Sequence, residues 1–170
     1  MKKGFIKKIA EPSNRIAPLR PPGAMKEMFF IGQCTRCGKC EQICSFKAIK
    51  FATGEEYKSF GRMTPIIIPQ QTPCTLCMEC TRACPTGALR QIAKEKVRMG
   101  AAVVDEGMCL SYGKGACKSC VLACPFGEKA ISIKDGIAKV DLEFCAGCGM
   151  CVPACVGAPS AIKIRPAGSD

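Results

Sequence analysis

The sequence has no histidine and no tryptophan, and only two of its 170 residues are tyrosine. Without histidine, Cys₂His₂ zinc fingers, Rieske centres, His-ligated haem and Ser-His-Asp or Cys-His catalysis are excluded. Because aromatic residues make up only 6 % of the chain, a large aromatic core is excluded too. Other groups must therefore hold much of the fold together.

Long apolar runs are also missing. No stretch approaches the roughly 18 apolar residues of a membrane-spanning helix, so we expect no membrane span. The N-terminal residues are basic but have no apolar segment, no Arg-Arg pair and no small-residue cleavage site, which predicts a cytoplasmic protein rather than an exported one. Thiols stay reduced in the cytoplasm, so metal ligation is the better explanation for abundant cysteine.

Cysteine is what the chain has in excess, with sixteen residues in four quartets that repeat every 35 to 40 positions. The first, second and fourth quartets have the C-x₂-C-x₂-C-x₃-C spacing of bacterial [4Fe–4S] ferredoxins. The third has five extra residues between its first two cysteines. The candidate iron ligands are Cys34, Cys37, Cys40, Cys44, Cys74, Cys77, Cys80, Cys84, Cys109, Cys117, Cys120, Cys124, Cys145, Cys148, Cys151 and Cys155.

This spacing has a physical reason. Three cysteines two residues apart wrap one loop around three corners of a cubane, and glycines such as Gly38, Gly147 and Gly149 let the backbone approach closely. Zinc ribbons use separated C-x₂-C pairs and need no third cysteine at this spacing. We therefore expect four [4Fe–4S] clusters. Their negative charge would offset much of the net charge of +11, which removes the reason to predict a nucleic-acid partner.

The expected fold is α+β and ferredoxin-like, with two pseudo-symmetric dicluster units built from short antiparallel strands and short helices. Asp135-Gly136 predicts a hairpin turn, and a helix of the type 79–84 is expected after each third cysteine. The predicted domains are a basic partner-binding arm (1–27), a four-cluster body (28–165) and a tail (166–170). Short β-type runs are expected at 28–31, 48–51, 65–68, 101–104, 130–133, 137–140 and 161–164.

The fourth cysteine of each quartet is expected to reach a neighbouring cluster, but the spacing leaves two pairings open. The quartets could pair in sequence, first with second and third with fourth, as the Asp135-Gly136 hairpin favours. They could instead nest, second with third and first with fourth. Nesting would pair a strand before Cys34 with the strand after Cys155.

The chain resembles the four-cluster ferredoxin-type subunits of the MauM/NapG kind, from methylamine utilisation and periplasmic nitrate reduction. The resemblance covers about residues 19–165 and rests on the segments 19–24, 84–89 and 99–105 and on the stretched third quartet. In the wider group of four-cluster subunits the quartets nest, so the resemblance implies nesting here. The missing export signal sets this chain apart from the group.

The chain is most similar to the small iron–sulfur subunit of cytoplasmic tungsten aldehyde oxidoreductases. That resemblance implies an electron-transfer subunit between a large tungstopterin catalytic subunit and a flavin subunit that reacts with NAD. The alternative is a diffusible polyferredoxin or a nitrate-reductase-type quinol-to-enzyme electron carrier. The sequence has no dinucleotide-binding G-x-G-x-x-G and no Walker A motif. We therefore expect no catalysis by this chain alone.

Overall fold

The structure is a computed structural model that describes residues 17–112 and 117–167. Within these residues there are five short α-helices and six short β-strands, and the strands form three two-stranded antiparallel sheets. Most of the predicted arm (1–16), part of the insertion in the third quartet (113–116) and the end of the tail (168–170) lie outside the described residues. No helix in the described ranges is long and apolar enough to cross a membrane.

The first half of the chain carries three helices and one sheet. Strands β1 and β2 pair between the first two quartets, with Ile49 opposite Ile67. An isolated bridge joins Ala24 to Leu89, before the first quartet and after the second. The elements are α1 (Glu27–Gln33), α2 (Lys39–Gln42), β1 (Ile49–Phe51), a 3₁₀ turn (Glu55–Phe60), β2 (Pro65–Ile67) and α3 (Glu79–Ala83).

The second half has two sheets. Strands β4 and β5 form the predicted hairpin, and Asp135 (φ 53°) and Gly136 (φ 74°) both take the left-handed conformation that a tight two-residue turn requires. The elements are a 3₁₀ turn (Lys94–Lys96), β3 (Gly100–Val104), α4 (Ser119–Ala123), a second 3₁₀ turn (Gly127–Lys129), β4 (Ile131–Lys134), β5 (Ile137–Val140), α5 (Cys151–Ala154) and β6 (Ile162–Pro166).

One predicted strand is wrong: residues 28–31 lie in helix α1. The less exposed positions of this helix are Glu27, Phe30 and Ile31, which follow helical rather than alternating spacing. Phe30 is fully buried, and Glu27 in the first turn receives hydrogen bonds from Arg20. A carboxylate at the start of a helix also complements the helix dipole.

The strand pairing that nesting requires is wrong as well. Because the segment before Cys34 is a helix, it has no strand to offer to the segment after Cys155. Strand β6 pairs instead with β3, which precedes the third quartet, and Val104 lies opposite Ile162. The third and fourth quartets are thus enclosed by one terminal strand pair.

Residues 17–27 belong to the folded body, although the sequence assigned them to the arm. Leu19 is buried, and its carbonyl oxygen accepts a hydrogen bond from the N–H of Ile67. The Arg20 guanidinium is also buried, and it stacks 4.7 Å from the centre of the Phe30 ring. These contacts join the segment to the first of two buried clusters. The second buried cluster lies around Ala102, Val121, Ile131, Val152 and Ile162.

Candidate metal centres

The sixteen cysteines line four separate cavities, with four cysteines around each cavity. We call these cavities sites A to D. Site A has Cys34, Cys37, Cys40 and Cys84; site B has Cys44, Cys74, Cys77 and Cys80; site C has Cys109, Cys117, Cys120 and Cys155; site D has Cys124, Cys145, Cys148 and Cys151.

Each site takes three cysteines from one quartet and the fourth cysteine from another. Cys84 of the second quartet completes site A, and Cys44 of the first completes site B. Cys155 and Cys124 complete sites C and D in the same reciprocal way. The quartets therefore pair in sequence, and the nested arrangement implied by the resemblance is wrong. The links between paired quartets, β1–β2 and β4–β5, are short. Each quartet therefore exchanges its fourth cysteine with the quartet next to it in the chain.

The loops of sites A, B and D share one backbone conformation. The residue just before the second cysteine and the residue just after it both have positive φ in all three loops. Two left-handed residues around a cysteine curl the loop so that successive side chains point to one side. The sequence analysis assigned close backbone approach to glycines alone, so it did not predict the left-handed backbone at the other three residues. The six residues are Arg36, Gly38, Leu76, Met78, Gly147 and Gly149.

Sites B and D lie deepest. Three cysteines of site B and two of site D are buried, compared with one at site C and none at site A. Desolvation, and to a smaller extent the charge of neighbouring cysteines, raises the pKa of Cys74, Cys80 and Cys151 to about 12. In the metal-free chain these thiols are therefore neutral, and an iron centre at either site displaces their protons.

Backbone N–H groups point at several of the sulfurs. The N–H of Leu76 lies 3.4 Å from Cys74 Sγ, that of Leu89 lies 3.4 Å from Cys84 Sγ, and that of Ala102 lies 3.5 Å from Cys145 Sγ. At Cys84 the partial burial raises the thiol pKa, but hydrogen bonds from Leu89, Thr86 and Gly87 outweigh it and lower the pKa overall. Such donors stabilise thiolates, which are the form that binds iron.

Hydroxyl groups also contact the sulfurs, and the sequence analysis missed them. Ser111 Oγ lies 3.2 Å from Cys109 Sγ, Ser119 Oγ lies 3.9 Å from Cys117 Sγ, and Thr86 Oγ1 lies 3.6 Å from Cys84 Sγ. All three share a signal that sequence reading could have used, a Ser or Thr two positions after the cysteine.

The donor set fits an iron–sulfur cluster. Among residues 17–112 and 117–167, no three His, Cys, Asp or Glu side chains are arranged to hold a single metal ion. The four sulfurs of each site instead lie around the wall of a cavity. A [4Fe–4S] cluster takes one thiolate at each of its four iron atoms, and this spread arrangement supplies those four thiolates.

The four sites follow one another in space in the order A, B, D, C. Helix α2 contacts α3 between sites A and B, and α4 contacts α5 between sites C and D. The two halves meet at sites B and D, where the N–H of Cys74 donates to the carbonyl oxygen of Cys148 at 2.8 Å. Within the second half, the N–H of Met99 donates to the carbonyl oxygen of Ala146 at 3.1 Å, beside this junction.

The sequence also places basic residues beside the cysteines, where a role in tuning potentials or in meeting a partner is a sequence-based prediction. Arg36 is exposed and donates to the carbonyl oxygens of Arg62 and Cys34, so it braces its own loop. Arg82 pairs with Glu79 on the surface of α3 at 2.6 Å. Lys39 and Lys118 are exposed. Their roles toward a partner stay a prediction.

Comparison with known proteins identifies the class of these sites. One sequence model described as a 4Fe-4S dicluster domain matches residues 33–88 and 73–128, and a second with the same description matches residues 103–156. The chain is thus an iron–sulfur, ferredoxin-type electron-transfer protein with four [4Fe–4S] clusters.

The chain is similar to the methylamine utilization ferredoxin-type protein MauM of Methylobacillus flagellatus, with 38 % identity over 170 residues that cover 92 % of this chain and 72 % of that protein. It is 37 % identical over 164 residues to the ferredoxin-type protein NapG of Escherichia coli, covering 87 % and 70 % of the two chains. The chain belongs to this family of ferredoxin-type proteins of the MauM/NapG kind.

A more distant relative is the polyferredoxin-like subunit of an aliphatic sulfonate oxidoreductase of Pyrococcus furiosus. It is 33 % identical over 127 residues, which cover 72 % of this chain and 66 % of that subunit. By its name, that relative is one subunit of an oxidoreductase.

Proposed function

We propose that each of the sites A to D binds one [4Fe–4S] cluster through its four cysteines, and that the chain is a four-centre relay within an oxidoreductase complex. The contact between Cys74 and Cys148 carries this proposal, because it joins two dicluster units into one continuous series. A bound cluster supplies one-electron redox chemistry. The protein residues hold neighbouring sites close together and shield the central two from water.

The two units are proposed to be pseudo-symmetric. In the second unit, the β4–β5 hairpin lies between the quartets, and β3 pairs with β6 at the termini. In the first unit, β1–β2 takes the place of the hairpin, and the Ala24–Leu89 bridge takes the place of the terminal strand pair. In this comparison, the first unit has a single bridge at its termini instead of a strand pair. Helix α1 precedes its first quartet at the position where strand β3 precedes the third quartet.

The proposed partners are a large tungstopterin catalytic subunit and a flavin subunit that reacts with NAD, in the cytoplasm. The similarity to a polyferredoxin-like subunit of a sulfonate oxidoreductase supports a role inside a complex. The five basic side chains against one acidic side chain in residues 1–16 support docking on an acidic protein surface. The chain itself is proposed to perform no catalysis.

The alternative is a diffusible polyferredoxin or a nitrate-reductase-type electron carrier. The 37 % identity to NapG favours that alternative as directly as the resemblance to tungsten enzymes favours a fixed subunit. The two functions differ in one observable: a fixed subunit stays with its partners through purification, whereas a carrier separates from them.

Anaerobic purification of the tagged full chain from its own host tests both parts of the proposal. We expect about 16 iron atoms and about 16 acid-labile sulfides per chain, as four cubane clusters require. We also expect a large pterin-containing protein and a flavoprotein at fixed stoichiometry in the native mass spectrum.

The two parts can fail separately. An iron content near 8 with bound zinc would contradict the four-cluster assignment. A fully loaded chain that purifies alone, and that exchanges electrons rapidly with several soluble redox proteins, would replace the fixed subunit by the diffusible carrier.

A further inference from the structure

We propose that an open groove on this chain binds an acidic peptide segment of another protein of the complex. The groove is lined mainly by residues of the segment 17–27 and of the link 92–99, which lies between the second and third quartets. Its volume is about 660 Å³, which is within the size range of ligand pockets. We call it the basic groove. The proposal rests on the proposed function, in which the chain works inside a complex.

The basic groove has a net positive charge. Glu27 is the only acidic residue among its described lining residues, and Arg20 neutralises that carboxylate through a salt bridge. Three further basic side chains line the groove and are exposed. None of them forms an ion pair within residues 17–112 and 117–167. These three residues are Lys26, Lys96 and Arg98.

The deeper part of the groove is apolar. Pro18 and Met99 are buried there, and Met25 and Ile92 are half-buried. An apolar centre inside a charged rim is the usual arrangement of a protein–protein contact. It suits a segment that mixes acidic with apolar side chains, because the acidic groups meet the rim while the apolar groups leave water.

The hydrogen-bond donors favour a peptide over a small free anion. Arg98 already donates to three backbone carbonyl oxygens, those of Glu95, Val97 and Glu143. The N–H groups of Arg20 are all used as well. Neither guanidinium can therefore hold a carboxylate or a phosphate with two parallel hydrogen bonds. The acidic side chains of a peptide need only the positive rim and the two lysine ammonium groups.

Charge argues against an occupant from this chain itself. Residues 1–16 hold five basic side chains and one acidic side chain, so the positive groove repels them. Residues 168–170 hold a single acidic side chain, which is too little to balance the three basic side chains of the rim. The occupant is therefore assigned to another protein.

The basic groove is separate from the metal sites. None of its described lining residues is a cysteine, and none of them lines sites A to D. A segment held in the groove leaves the surfaces around the four sites open for electron transfer. Substitutions on the rim should therefore change binding while the iron content and the visible spectrum stay the same.

The first experiment measures the binding of a labelled synthetic peptide to the anaerobically purified full chain with its clusters. The peptide alternates glutamate and leucine, and the control peptide has glutamine in place of glutamate. Only the glutamate peptide should bind, and its affinity should fall as the salt concentration rises. The double variant Lys26→Glu and Lys96→Glu should weaken binding at least about tenfold, since two attractions become repulsions.

The matched control is the double variant Lys134→Glu and Lys139→Glu. These two lysines are exposed on the β4–β5 hairpin and do not line the groove. The control variant changes the net charge by the same amount, so it separates a local effect from the overall charge of the protein. It should retain most of the affinity.

The second experiment identifies the natural occupant. A carbodiimide couples lysine amines directly to carboxylates in the complex as purified from its host, and mass spectrometry locates the linked residues. We expect cross-links from Lys26 and Lys96 to one acidic segment of another protein. Cross-links to residues 168–170 or to a second copy of this chain, which isotope labelling distinguishes, would overturn the assignment.

The two experiments also separate this proposal from the proposed function. Equal peptide binding by the two double variants, or no binding at all, would overturn the basic groove even if the complex is intact. A chain that purifies with four clusters but without any partner would contradict the role inside a complex. Peptide binding to that chain would still decide whether the groove accepts an acidic segment.

Discussion

The backbone N–H of Cys74 donates a 2.8 Å hydrogen bond to the carbonyl oxygen of Cys148, and this bond joins the two halves of the molecule at their most buried metal sites. Each residue is itself a candidate iron ligand, one at site B and the other at site D. The junction is tight beside this bond, because a Cβ added at Gly149 would clash with the side chain of Pro69.

The first prediction concerns this junction. Gly149→Ala should push the two halves apart, because the new methyl group has no room beside Pro69. We expect weaker magnetic coupling between the reduced clusters of sites B and D, measured by electron paramagnetic resonance on the fully reduced protein. The coupling within each half should remain.

The matched control is Gly87→Ala. Gly87 has a similar φ of 71° compared with 84° at Gly149, but nothing lies within 4 Å of its added Cβ. Both variants share the strain of a left-handed alanine, so only Gly149→Ala tests the close approach. Equal spectra for the two variants, at full iron content, would show that the contact does not set the coupling.

The pairing of the quartets could not be predicted from the cysteine spacing. The match to residues 73–128 joins the second and third quartets, whereas the matches to 33–88 and 103–156 join the pairs seen in space. The spacing is the same within every quartet, so it cannot say which neighbour receives the fourth cysteine. That choice depends on the β1–β2 and β4–β5 links. The Asp135-Gly136 turn was predictable because its signal lies within the turn itself.

The second prediction uses the exchanged cysteines. Cys84→Ser should change the spectrum or the potential of the cluster held by Cys34, Cys37 and Cys40. Nesting would instead couple Cys84 to the third quartet. Iron–sulfur spectra of single-site variants in the first and third quartets identify which cluster is affected. Cys44→Ser, which alters site B, is the reciprocal variant. A Cys84→Ser effect confined to a third-quartet cluster would contradict sequential pairing.

The third prediction concerns removal of iron. Cysteines make up four of the 15 buried residues in the first core cluster and two of the seven in the second, and the strands contain only three to five residues. Bound metal is then a large part of the folding free energy, as in other small metal-organised domains. Treatment with an anaerobic iron chelator should abolish the cooperative thermal transition followed by circular dichroism. A sharp transition in iron-free protein would show that the polypeptide folds without clusters.

The fourth prediction concerns the N-terminal arm. Residues 1–16 carry five basic side chains and one acidic side chain, whereas the segment from Leu19 onward packs on the body. Deleting residues 2–16 should therefore release the chain from the proposed catalytic subunit while all four clusters stay spectroscopically normal. Pull-down stoichiometry measures the release. A deletion from residue 2 to residue 22 also removes Arg20. Its effect on binding to the partner could then not be separated from its effect on the stability of the fold. Full co-purification of the shorter deletion would leave the arm without a tethering role.

Helix α1 was missed because its cause lies outside its own sequence. The run 28–31 has the composition of a strand, whereas the contacts that favour the helix, from Arg20 to Glu27 and around the buried Phe30, involve residues distant from the run. The hydroxyl contacts at site C were missed for a different reason. Serine is common in loops, and its meaning appears only when its position relative to the cysteine sulfur is known.

The last prediction concerns Arg20, whose five N–H groups are all used. They donate to both carboxylate oxygens of Glu27 at 2.5 and 3.0 Å, to Thr64 Oγ1 at 2.8 Å, and to the carbonyl oxygens of Pro65 and Phe60 at 3.0 and 2.6 Å. Arg20→Met keeps the length of the side chain but leaves these acceptors unpaired. Loss of one partner from such a buried network costs about 3 kcal/mol of the free energy of unfolding.

The matched control is Arg82→Met, which breaks the surface pair with Glu79. The side chains of that pair are 64 % and 43 % exposed, compared with 8 % for Arg20, so its loss should cost under about 1 kcal/mol. The measurement is the urea midpoint at which the visible absorbance of the clusters disappears under anaerobic conditions. Arg20→Met should lower this midpoint far more than Arg82→Met does. Because Arg20 also stacks on Phe30, which lines site A, the cluster of site A should be the first one lost. Equal midpoints would mean that Arg20 holds no more of the fold than a surface ion pair.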